Sequence, residues 1–172
     1  AAQGYARATG RTGVCMATSG PGATNLITGI ADAMVDSTPL VCITAQVAAS
    51  LLGTDAFQEA DIISMTIPVT KWNHQVTSAA ELPETIAKAF YIARTGRPGP
   101  VVIDITKNAQ TEILDRFAYT PCTGLRSYCP EPVVDDESVD RAVELINASR
   151  RPLMIVGQGV ELSGGEADAI RL

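Results

Sequence analysis

Short apolar runs alternate with segments of helical period along much of the chain. Residues 13–18, Gly-Val-Cys-Met-Ala-Thr, and residues 39–44, Pro-Leu-Val-Cys-Ile-Thr, each read as a buried strand. Residues 100–105, Pro-Val-Val-Ile-Asp-Ile, read the same way, and residues 67–76 as a weaker strand broken by polar positions. Between the first two runs, Leu26, Ile30, Ala33 and Met34 fall on one face of a helix predicted over residues 23–35. A second helix is better punctuated. Ser78 and Glu81 have capping-box spacing, and Leu82, Ile86, Ala89, Phe90 and Ala93 share a face. Gly96 closes it and Pro98 forbids its continuation. Strands that are apolar throughout, rather than alternating, belong to a parallel sheet covered on both faces. The predicted fold is therefore α/β, a doubly wound parallel sheet.

The pattern changes at Thr106. Residues 106–135 contain Pro121, Pro130 and Pro132 and no sustained period, and read as a linker. Asp135, Asp136 and Glu137 then load the first turn of a helix with charge that suits its positive end, and Val139, Ala142, Val143 and Ile146 form its apolar face. Residues 153–156, Leu-Met-Ile-Val, read as a strand before Gly157-Gln158-Gly159. The expected organisation is one domain over 1–105, a linker over 106–135, and the start of a second α/β domain over 136–172. The absence of an opening Met and the abrupt end at Leu172 suggest an internal piece of something longer.

Composition narrows the function classes. The 172 residues carry 13 Lys+Arg against 19 Asp+Glu, a net charge of −6, with no basic stripe bearing aromatics, which argues against a nucleic-acid partner. No run reaches the length of a membrane span, and no basic-then-apolar leader precedes the first element. Cys15, Cys42, Cys122 and Cys129 form no CxxC pair, and the chain has one His, so metal-ligand spacing is absent. The cysteines read as reduced thiols of a cytoplasmic protein.

Four constellations carry candidate chemistry. Ser19-Gly20-Pro21-Gly22-Ala23-Thr24-Asn25 lies between a strand and a helix; composition alone allows an anion cradle or simply a tight turn. It is neither a Walker A loop nor a full GxGxxG. Gly53-Thr54-Asp55-Ala56-Phe57-Gln58-Glu59 is either a cleft-facing loop or a surface turn. Thr95-Gly96-Arg97-Pro98-Gly99-Pro100 contains an Arg that punctuation does not explain. Gly157-Gln158-Gly159 after a strand is weak evidence for a nucleotide crevice. The lone His74 reads as structural. Lys107 follows the carboxyl end of a strand, where doubly wound folds place ligands.

Together with Gly4-Tyr5-Ala6-Arg7-Ala8-Thr9-Gly10, these motifs occur in an order that resembles the acetolactate synthase catalytic subunits, a family of thiamine-diphosphate enzymes. The resemblance covers essentially the whole chain. Its Gly-Pro-Gly-Ala-Thr-Asn and Gly-Arg-Pro-Gly-Pro motifs are shared across thiamine-diphosphate enzymes; Thr54 to Glu59 is the more specific part and argues against the sister families of pyruvate oxidase and glyoxylate carboligase. The resemblance implies an enzyme that decarboxylates pyruvate on thiamine diphosphate and ligates the two-carbon unit to a second 2-keto acid, in branched-chain amino-acid biosynthesis. It implies a pyrimidine-binding domain followed by an FAD-binding one. Pro21, Gly22 and Asn25 would border the cofactor's pyrimidine side, which revises the anion-cradle reading. Phe57 and Gln58 would line the reaction cleft, and Lys107 the mouth of the substrate channel. Arg97, Gly157, Gln158 and Gly159 would approach FAD. The diphosphate and Mg2+ would be held by a domain outside this chain, and the family's activating Glu would lie a few residues before Ala1. The chain alone is therefore expected to be inactive, with a non-catalytic assembly module as the rival reading. Ala48, where the family usually has Pro, implies a looser loop. The implied partners are a second copy, as a homodimer or homotetramer, and a regulatory small subunit.

Overall fold

The computed structural model describes residues 1–172 as two compact units, 1–131 and 132–172. In the first unit four strands form one sheet: β1 (Gly13–Ala17), β2 (Leu40–Gln46), β3 (Trp72–Val76) and β4 (Pro100–Thr106). Their spatial order is β1-β2-β4-β3, and every pair is parallel. The α/β parallel sheet read from the apolar runs is what forms. The weak run narrows to β3, because residues 67–69, which include Pro68, coil into a 3-10 turn instead.

The helices of this unit are α1 (Ala2–Thr9), α2 (Pro21–Thr24), α3 (Ile27–Val35), α4 (Ile62–Thr66), α5 (Leu82–Arg94) and α6 (Lys107–Thr111). Side chains alternate across a strand, so the central strands β2 and β4 each feed two cores. Cys42 and Val102 pack with Ala6, Ala23, Ile30, Ala33 and Ile62 from α1 to α4. Val41, Val101 and Ile103 pack with Ala89, Ile92 and Ala93 of α5. Ile103 is 0 % exposed; burying a side chain of that size contributes about 1.5–3 kcal/mol. The edge strand β1 is covered on one face only, and Met16 on the other face is 75 % exposed.

The capping box forms as its spacing requires. Ser78 Oγ accepts from Ala80 N–H at 3.3 Å, and Glu81 Oε1 accepts from Ser78 N–H at 3.1 Å. A 3-10 turn over Ala79–Glu81 then leads into α5. The helix expected over residues 23–35 is interrupted at Asn25 and Leu26, where α2 ends and α3 begins.

The second unit contains α7 (Asp136–Ala148), α8 (Gln158–Ser163) and α9 (Glu166–Arg171). Residues 153–156, expected as a strand, form none. A strand is defined by its ladder, and residues 132–172 offer no other extended segment to pair with it. Ile155 is 90 % exposed.

No helix is long and apolar enough to cross a membrane.

Candidate functional site at the carboxyl ends of the strands

β1 ends at Ala17 and the chain turns sharply through Ser19-Gly20-Pro21-Gly22. Gly22 N–H returns to Ser19 O at 3.3 Å, and Gly20 adopts φ 55 and ψ −117. These angles are those of the first central position of a type II′ turn, where a Cβ is strained. Space adds a second constraint: a Cβ on Gly20 would lie 2.6 Å from Gln58 O and 3.0 Å from its Cα. The Gly-Pro-Gly turn and the loop carrying Phe57 and Gln58 are therefore in direct backbone contact. Two motifs that are far apart in sequence become one surface.

The loop is folded around a single carboxylate. Glu59 accepts hydrogen bonds from Gly53 N–H, from Thr54 N–H at 3.2 Å and from Ala56 N–H at 3.2 Å. These donors, Gly53 first, hold the Glu59 carboxyl below its ordinary range. Left-handed backbone at Gly53, Asp55 and Gln58 completes the coil. The result exposes Gln58 and leaves Phe57 88 % exposed, and Pro21 and Asn25 of the contacting turn and its helix are exposed as well. An exposed ring next to a polar amide and bare backbone suits a planar heteroaromatic ligand.

Below this surface lies a buried polar row that the apolar runs conceal. Thr44, Asp104 and Gln75 are register partners on three adjacent strands. Thr44 Oγ1 donates to Asp104 Oδ1 at 2.7 Å, and Gln46 and Gln75 Nε2 each donate to Asp104 Oδ2 at 3.1 Å. Burial, opposed by these donors, raises the Asp104 carboxyl above its ordinary value. Gln46 Nε2 also donates to Ala60 O at 2.8 Å, so the row grips the end of the 53–59 loop. A lone Asp inside Val-Val-Ile-Asp-Ile was the available signal: a buried charged residue needs partners.

Lys107 follows β4 at the same end of the sheet. Its N–H donates to Val47 O at 3.3 Å and its side chain is exposed. Arg97 lies elsewhere. It precedes β4, and its Nε donates to Ser37 Oγ at 2.8 Å while Nη2 donates to Val35 O at 3.0 Å. That contact ties the segment before β4 to the segment before β2, at the amino ends of the strands. Gly157 and Gln158 belong to the second unit, where they border a concavity with Val156, Val160, Ala169 and Ile170; Gly159 is exposed beside them. Pro21, Gly22, Asn25, Phe57, Gln58 and Lys107 thus share the carboxyl ends of the strands, and Arg97 does not.

Known proteins resemble this chain over part or all of its length. Residues 1–65 match the thiamine pyrophosphate enzyme N-terminal TPP binding domain. The acetolactate synthase large subunit of Corynebacterium glutamicum is 54 % identical over 160 residues, 93 % of this chain and 25 % of that protein. The acetolactate synthase isozyme 1 large subunit of Escherichia coli is 50 % identical over 159 residues, 92 % of this chain and 28 % of its own length. A probable acetolactate synthase large subunit of Methanocaldococcus jannaschii is 46 % identical over 174 residues, 100 % of this chain and 29 % of that protein. The chain spans between a quarter and three tenths of these curated relatives. Over nearly its whole length the chain is thus similar to part of the acetolactate synthase large subunits, and over residues 1–65 to the TPP binding domain of thiamine pyrophosphate enzymes.

Proposed function

We propose that the carboxyl end of this sheet contributes the pyrimidine side of a thiamine-diphosphate site in an enzyme that makes acetolactate from 2-keto acids. Bound thiamine diphosphate would supply the electron sink for decarboxylation and carbon–carbon bond formation. The chain's own residues would orient and enclose. Pro21 and Asn25 would border the ring, with Gly22 letting the backbone approach it. Phe57 and Gln58 would face the substrate carbons, and Lys107 would offer a cation to the incoming carboxylate. The observation that carries this reading is the backbone contact between Gly20 and Gln58. It joins the motif general to thiamine-diphosphate enzymes to the loop particular to acetolactate synthases.

In this reading the 172-residue chain does not turn over alone. The carboxylate of Glu59 is already committed to Gly53, Thr54 and Ala56 N–H groups. No other Asp or Glu in the 19–25 and 53–59 segments is available except Asp55. The diphosphate with its Mg2+ would be held by another domain. FAD would be met by Arg97 and, separately, by residues 157–159 of the second unit. Assembly as a homodimer or homotetramer with a regulatory small subunit, in the cytoplasm, completes the proposal.

Product analysis of the full-length protein with pyruvate, thiamine diphosphate and Mg2+ tests it. Acetolactate is expected. Acetate formed by oxidation, or tartronate semialdehyde from glyoxylate, would move the assignment to a sister family. Acetolactate production by the isolated 172-residue chain would contradict its inactivity.

A further inference from the structure

Cys15 on β1 and Cys42 on β2 are register partners, and their Sγ atoms lie 3.3 Å apart. Both side chains face the core beneath α3, among Leu26, Ile30 and Ala33. Cys42 is buried, whereas Cys15 is partly exposed. The two thiols border a cavity of about 150 Å³ with Ala2, Gln3, Leu26 and Gly29, room enough for a small oxidant.

Neighbouring strands lie about 4.8 Å apart, inside the roughly 4.4–6.8 Å Cα separation that disulfides span. Little backbone movement separates the thiol pair from a covalent bond. The pair is also chemically asymmetric. The hydrogen bond with Cys42 lowers the Cys15 thiol to about 7, against burial, while the same contact and burial push Cys42 well up. Cys15, also the more accessible of the two, is the more readily ionised thiol, and Cys42 the one that holds its proton.

We propose that Cys15 and Cys42 are an oxidisable dithiol, closed by hydroperoxides into an intramolecular disulfide that locks edge strand β1 to β2. The Cys15 thiolate attacks the outer oxygen of ROOH. The O–O bond breaks, ROH leaves after taking a proton, and Cys15 becomes a sulfenic acid. Cys42 sulfur then attacks the Cys15 sulfur. The S–O bond breaks, and hydroxide leaves as water with the Cys42 proton. Two thiols are oxidised by two electrons and one hydroperoxide is reduced. The loop so closed contains the Ser19–Gly22 turn with α2 and α3, so oxidation ties the candidate site to the sheet edge. Cys122 and Cys129, outside the sheet, have no comparable partner geometry.

The test is limited exposure of the full chain to hydrogen peroxide, alkylation of remaining thiols under denaturing conditions, and peptide mapping without reductant. The expected result is a linked peptide pair containing Cys15 and Cys42, dispersed by reductant, with Cys122 and Cys129 still alkylated. In Cys42→Ala, Cys15 should instead be trapped as a sulfenic acid by dimedone. Recovery of Cys15 and Cys42 as separately alkylated peptides, under conditions that oxidise Cys122 or Cys129, would overturn the proposal. So would a linkage that joins either of them only to Cys122 or Cys129.

Discussion

Residues 100–106 and residues 153–156 look alike as sequence and behave differently as structure. Pro-Val-Val-Ile-Asp-Ile-Thr is a central strand, paired on both sides, with Ile103 fully buried. Leu-Met-Ile-Val pairs with nothing in its own unit, and Ile155 is 90 % exposed. Apolar character specifies that a segment gains by burial; it does not specify what buries it. β4 has β2, β3 and α5 to complete it. Residues 132–172 offer three helices and no second extended segment.

That contrast can be broken by substitution. Ile103→Ala should cost about 2–5 kcal/mol, because it opens a cavity in a core that cannot fully collapse; urea unfolding of the chain reads the change. Asp104→Ala should cost less, about 1–3 kcal/mol, by stranding the Thr44, Gln46 and Gln75 donors. Its pH dependence has a definite sign. The folded-state pKa of Asp104 is raised, so its stabilising contribution is full below the ordinary Asp range and falls as pH rises through the raised value. The stability gap between the parent chain and Asp104→Ala should therefore narrow with rising pH. A gap that widens would mean the donors outweigh burial. Ile155→Ala should change stability by less than about 0.5 kcal/mol. A loss comparable to that of Ile103→Ala would show that 153–156 is buried after all.

Much of the fold was legible because its elements are locally punctuated. β1, β2 and β4 follow from uninterrupted apolar runs, and α5 from its capping box and closing Gly96. Short helices such as α4 and α6 were not. Five residues carry too little period to register, and α4 is fixed by Asp61, whose Oδ1 accepts from Ser64 N–H at 3.0 Å. The polar row around Asp104 was hidden for another reason. Its members lie on three strands, and only the register Thr44↔Asp104↔Gln75 assembles them.

The candidate site divides in the same way. Each motif was visible alone, but the contact between Gly20 and Gln58 depends on tertiary structure. Resemblance picks out the individual site residues, whereas their meeting at the carboxyl ends of the strands comes only with the fold. Arg97 shows the value of position. Its hydrogen bonds to Ser37 and Val35 place it at the amino ends of the strands, away from Pro21 and Gln58.

Amide hydrogen exchange of the full-length protein, with and without thiamine diphosphate and Mg2+, tests most directly whether the turn and the loop act as one site. Peptides covering residues 19–25 and 53–59 should gain protection together on cofactor binding, while the segment around Arg97 responds less. Protection of one segment without the other, or protection centred on Arg97 alone, would contradict the joined site at the carboxyl ends of the strands.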